Sequence, residues 1–248
     1  MATTSTAWRP EIDQYTIKFL VGIIALFLPV VELLLSHGDI TSISQSYWYP
    51  DSHWTRNVFV GSLFAIAALL AGYNGSSSEQ LWPGKLAALA AVLISIFPCN
   101  CGVDAHEIVK GIHAASAGVM FAVLAWFCWD FIRRAKTKLK DVRRTAAGRR
   151  IVIYKACGIG MIIAIALFVT HAVTQVEQLI FWGETFGLMS FGISWLTASR
   201  KFPGITHPSE RQSMFGLGTA QPQAQTTPSP PAPAAAGASL KQDPPATT

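Results

Sequence analysis

The sequence predicts an all-α protein, a six-helix transmembrane bundle followed by a disordered C-terminal tail. Three observations carry that expectation. The chain is 51% hydrophobic and only 13% charged, about half the charged share of an ordinary soluble domain. Its apolar residues are gathered into blocks of roughly 15 to 25, the length that crosses a bilayer as a helix. Nine of its nineteen Lys and Arg residues sit between Arg133 and Arg150, and a short basic loop between two apolar runs stays on the cytoplasmic side. The apolar runs lack the alternation of barrel strands, and only helices or closed barrels satisfy their backbone in lipid.

Taken in order, the first span is expected at 17–35, with Pro29 and Glu32 near its far end, and the second at 54–73. The third, at 81–98, is the weakest, because its continuous apolar core is only 86–97 and rich in alanine. The fourth is placed at 108–132, the fifth at 151–173 and the sixth at 179–198. Residues 1–16 are polar and read as a cytoplasmic N-terminus. No small-residue cleavage site closes the first run, so it reads as a retained span rather than a signal peptide. The transmembrane domain is thus 17–200. Residues 201–248, rich in Pro, Ala and Thr and nearly free of large apolar side chains, read as a disordered cytoplasmic tail.

Six spans put both termini on the side of the 133–150 loop. Only Arg56 and Lys110 then lie on the outer side, against seventeen basic residues on the inner one. The expected location is a bacterial inner membrane. The formal charge of +5 does not indicate nucleic acid, because the basic residues flank spans, where they report topology and can touch anionic lipid headgroups. Membrane lipids are the expected partners.

This orientation sorts the remaining polar residues. His37, His53, His106, His113 and His171 fall toward the outer side, as do Glu32 and Glu184. An ionisable group inside a span is costly and usually faces the bundle interior or a wet cavity. At 1.5 Å per residue, Glu32 lies roughly 5 Å inside the first span and Glu184 roughly 8 Å inside the sixth. His171 is about one turn from the end of the fifth, and Arg56 stands near the start of the second. His106, Lys110 and His113 would form one stripe on the fourth. His37, His53 and His106 read as loop residues, because side chains at helix ends reach water easily. Glu32, Arg56, His113, His171 and Glu184 therefore form the candidate ligand-binding set, with Arg56 and the histidines holding anionic groups and the glutamates orienting them.

No catalytic residue is assigned, and the sequence leaves open whether any reaction occurs. No cofactor is expected. The alternative is zinc on His113, His171 and Glu184, a ligand set of acceptable type, which would make the chain a metal-dependent intramembrane hydrolase acting on a lipid. His106-Glu107-Ile108-Val109-Lys110 begins like a zincin motif, but an ammonium cannot bind zinc and the motif is absent. Cys99-Asn100-Cys101 is too tight for an easy disulfide, and its cysteines are expected to be unpaired.

The segments Ser42-Ile43-Ser44, Tyr47-Trp48-Tyr49, Arg56-Asn57-Val58-Phe59-Val60-Gly61, Ile112-His113, Tyr154-Lys155-Ala156-Cys157-Gly158, Phe181-Trp182-Gly183-Glu184 and Phe191-Gly192-Ile193-Ser194-Trp195 resemble an uncharacterised family of bacterial multi-span membrane proteins. The resemblance covers about 15–200. More remotely, the six-span plan and the Ser-Ile-Ser segment look like the damage-regulated autophagy modulator superfamily, which implies a link to lipid and membrane processes without a defined reaction. The intramembrane His and Glu are also similar to those of ceramidase-like CREST hydrolases. Those proteins have seven spans and a His-x-x-x-His pair, neither of which is found here.

Overall fold

The structure, a computed structural model, describes residues 13–50, 53–75, 77–101, 108–137 and 144–212. Six long helices account for most of them: α1 (Gln14–Leu35), α2 (His53–Gly72), α3 (Ser78–Ile96), α4 (Ile112–Thr137), α5 (Arg144–Thr174) and α6 (Gln178–Ala198). No strand occurs among the described residues. Each helix packs on its neighbour in sequence, and α6 closes the ring against α1 while also touching α4.

Local chemistry sets the helix ends. The Asp13 carboxylate caps α1 by accepting from the Thr16 N–H at 3.1 Å, a standard N-cap arrangement. At the other end His37 and Gly38 adopt φ of 54° and 88°, and the Gly38 N–H returns to the Leu33 carbonyl, which stops the helix. The expected fourth span loses its first turn for a similar reason. Gly111 sits at φ 80°, so α4 begins at Ile112, and Lys110 is not on a helical stripe with His113. His106 lies outside the described residues. The basic segment, in turn, is largely helix rather than loop: α4 runs on to Thr137 and α5 starts at Arg144. Lys, Arg and Ala favour helix, so both helices continue past their apolar blocks.

Five of the six helices are long and apolar enough to cross a membrane. The exception is α3, which carries Glu79, Pro83 and Lys85 within its length and packs between α2 and α4. The outward faces are apolar. Phe27, Leu34, Trp82, Leu89, Trp129, Val152, Ile162 and Val173 are all exposed. In water such a surface would far exceed the few hundred Å² of apolar patch that a monomer tolerates. Against lipid it is the expected surface of a polytopic membrane protein.

The core is aromatic and close-packed. Trp195 is fully buried and meets Tyr73, Phe127 and Phe191 with ring centroids 5.1–5.2 Å apart. Glycines let α6 approach its neighbours, as small residues do in membrane bundles. A Cβ on Gly192 would lie 2.8 Å from the Gly22 carbonyl oxygen, so α1 and α6 cross backbone to backbone. Phe168 and Phe121 pack on Gly183 and Gly187, where a Cβ would meet each ring at 2.6 and 2.1 Å.

The packing on the bundle extends past residue 200, the expected end of the transmembrane domain. Residues 201–212 pack on the bundle, with Lys201, Thr206 and Glu210 buried. Glu210 pairs with Arg150 at 3.1 Å and lies 3.6 Å from Arg200. Polar side chains supply the attachment, which an apolar pattern does not reveal. The remainder of the expected tail, 213–248, lies outside the described residues, as do residues 1–12 of the expected N-terminal segment.

Candidate functional site

Ionisable groups gather at both ends of the bundle. One end, the histidine end, holds Glu32, His113, His171 and Glu184. The other, the arginine end, holds Asp130, Arg133, Arg134, Arg150 and Glu210.

At the histidine end, α4, α5 and α6 enclose a cavity of about 620 Å³. His113 reaches it from the first turn of α4, His171 from the last turn of α5 and Glu184 from the second turn of α6. Ser42 and Ser44 line it from the segment after α1, and Phe121 and Phe168 from the helices below. The cavity is mostly apolar with a few polar groups, within the about 300–1,000 Å³ typical of small-molecule sites.

Glu184 is held by neutral donors. Its carboxylate accepts from the Ser42 hydroxyl at 3.0 Å, the Ser44 hydroxyl at 2.7 Å and the Ile43 N–H. Ile43 is the N-cap of a short 3₁₀ helix, Ser44–Trp48, so Glu184 fills a helix N-terminus that favours negative charge. The Phe181 N–H adds a bond to the Thr41 carbonyl at 3.1 Å. Together these bonds seat the 41–48 segment on α6.

Both histidine rings are oriented by backbone. Nδ1 of His113 is 2.8 Å from the Phe97 carbonyl oxygen, and Nδ1 of His171 is 2.9 Å from that of Val176. A carbonyl only accepts, so each Nδ1 carries the proton, and in the neutral ring Nε2 carries the lone pair. With both rings neutral, the two Nε2 atoms and Glu184 give the cavity more hydrogen-bond acceptors than donors.

The other two candidate residues stand elsewhere. Arg56 is exposed on α2, its guanidinium 6.0 Å from the centre of the Tyr47 ring, and it lines a separate groove with Asn57 and Ser95. Glu32 is 0% exposed. The Ser46 hydroxyl stands toward it, yet neither carboxylate oxygen nor that hydroxyl has a hydrogen-bond partner among the described residues. Thus three of the five candidates line one cavity, one is sealed in the core and one faces outward. Nor is any group of three or more His, Cys, Asp or Glu side chains among the described residues placed to hold a metal ion.

The cysteine expectation is corrected. Cys99 and Cys101 form a disulfide with Cα atoms 5.3 Å apart, inside the range that permits the bond, because the chain turns sharply after α3. Both cysteines line the cavity, and the Trp48 indole N–H donates to the Cys99 carbonyl at 2.8 Å.

The polar groups of the arginine end form a chain that the sequence reading missed. Tyr73 donates to Gln80 at 2.8 Å, and Gln80 donates to Asp130 at 2.6 Å. Asp130 also accepts from Arg133 at 2.8 Å and Arg134 at 2.6 Å. Arg133 continues to Glu79. The legible signal was an Asp inside a span with Arg at i+3 and i+4, the spacing of helical ion pairs. No family model, no curated protein and no solved structure matches the chain.

Proposed function

We propose that this polytopic membrane protein uses the α4–α5–α6 cavity to bind a lipid headgroup or a small polar ligand, in a sensing, scaffolding or accessory role. The observation that carries the reading is that His113, His171 and Glu184, drawn from three helices, line one cavity with apolar walls. Because these groups are mainly acceptors, the fitting ligand is rich in hydrogen-bond donors, such as a hydroxylated or amino headgroup, rather than an anion. Arg56 plays no part in it. The histidine end faces the extracytoplasmic side of a bacterial inner membrane and both termini are cytoplasmic. Two features support this: the nine basic residues within 133–150, and a disulfide at the opposite end, since disulfides persist in oxidising compartments.

A blocked cavity provides the test. Gly118 lines the cavity, and a Cβ there meets no atom within 4 Å, so Gly118→Leu starts a side chain at the cavity wall without a clash at Cβ and improves helix propensity. Native mass spectrometry of the purified protein is expected to show a retained lipid or small molecule on the wild type and its loss from Gly118→Leu, with thermal stability unchanged. A wild type that carries nothing, or a variant that retains the same adduct, would sink the reading.

A further inference from the structure

The arginine end contains a second cavity, of about 210 Å³, whose chemistry is the reverse of the first. Lys18, Gln80, Arg134, Arg150, Tyr154 and Arg200 line it. Four of these six are cations, contributed by α1, α4, α5 and the residue just after the C-cap of α6. Two of them are deeply buried, Lys18 and Arg150 each at 4% exposed.

The cations outnumber their counter-ions. Asp130 accepts from Arg134, but it also serves Arg133. Glu210 is shared between Arg150 and Arg200. Lys18 has no carboxylate within ion-pair distance among the described residues; its ammonium lies instead 5.5 Å from the ring centres of Tyr15 and Tyr73 and 5.6 Å from that of Phe131. Arg150 bonds Glu210 through Nη2, while its Nη1 is buried with no hydrogen-bond partner among the described residues. A buried guanidinium donor left unsatisfied is costly. Glu79 also pairs with Arg133 and lies 3.5 Å from Arg134, so Lys18, Arg133, Arg134, Arg150 and Arg200 face three carboxylates, Glu79, Asp130 and Glu210, and about two positive charges remain.

We infer that this cavity is an anion site for a phosphate group bearing about two negative charges. A phosphate offers several acceptor oxygens and pairs well with guanidinium forks, and it would satisfy Arg150 Nη1 and Lys18 together. The volume, about 210 Å³, lies below the about 300–1,000 Å³ of sites for drug-sized ligands and fits a phosphate or a small headgroup. Its source is either a phosphomonoester lipid headgroup or free phosphate. The site is separate from the histidine-end cavity, and nothing in it depends on what that cavity binds.

The full chain in nanodiscs provides the test. One arm titrates inorganic phosphate against chloride at matched ionic strength and reads the thermal midpoint. The other places brominated phosphatidic acid or brominated phosphatidylcholine in the disc and reads tryptophan quenching. A response to phosphate assigns a soluble anion, and selective quenching by phosphatidic acid assigns a headgroup. In either case Lys18→Met and Arg200→Gln should weaken binding roughly tenfold each, whereas Lys85→Gln, whose ammonium bonds to backbone carbonyls near Tyr73, should not. Should Lys18→Met fail to fold, the partly exposed Arg200→Gln carries the comparison alone. No response in either arm, or equal responses from wild type and Arg200→Gln, overturns the proposal.

Discussion

The two ends of the bundle bury carboxylates in opposite ways. At the histidine end Glu184 is held by hydroxyls and a backbone N–H, all neutral, and Glu32 has no hydrogen-bond partner among the described residues. At the arginine end Asp130 and Glu210 are held by guanidinium groups. Neutral donors survive the loss of their acceptor with only unsatisfied hydrogen bonds, whereas a cation that loses its carboxylate leaves an uncompensated buried charge. The ends should therefore differ in how much each carboxylate matters, and in how removable it is.

The largest effect is expected for Asp130→Asn. It removes a fully buried charge on which Arg133, Arg134 and Gln80 converge, and should cost about 3 kcal/mol, read as a lower thermal midpoint in detergent. A cost below about 1 kcal/mol would mean that the arginines re-pair elsewhere and the contrast fails. Glu184→Ala should cost about 2 kcal/mol, because two hydroxyls and the Ile43 N–H lose their acceptor. Its distinguishing readout is local: the 41–48 segment should gain hydrogen exchange while the arginine end does not. Cys101→Ser should cost only ~1.5 kcal/mol, since a disulfide closing so short a loop removes little chain entropy; a much larger loss would give the bridge a role beyond loop closure. Glu32→Leu should be neutral or stabilising by about 1 kcal/mol, because it removes a buried carboxyl without deleting a hydrogen bond. Marked destabilisation there would show that Glu32 has a partner and that the histidine end is not built from neutral donors alone.

Much of the fold was legible because lipid imposes a length rule on apolar runs, and the helices lie close to the expected spans. What lipid does not dictate stayed hidden. The first turns of α5 are polar, and so is the 201–212 segment that Glu210 fastens to Arg150. The candidate site divides along the same line. Position along a span gives a residue's expected depth, and on that basis Glu32, Arg56, His113, His171 and Glu184 fall into one group. Azimuth needs the packing partners as well, since each residue turns the side chain by about 100°. Glu32 points into the core and Arg56 away from it for that reason. Cys99 and Cys101 show another limit: spacing alone says nothing of a tight turn that brings two Cα atoms to 5.3 Å.

The backbone crossing of α1 and α6 at Gly22 and Gly192 joins the first of the six described helices to the last. Until α6 emerges, Gly22 has no α6 backbone to cross, and the face of α1 beside it stays open. Assembly of the ring is therefore a late event in synthesis. A nascent chain that lacks α6 presents an open face of α1 to the insertion machinery rather than a closed bundle.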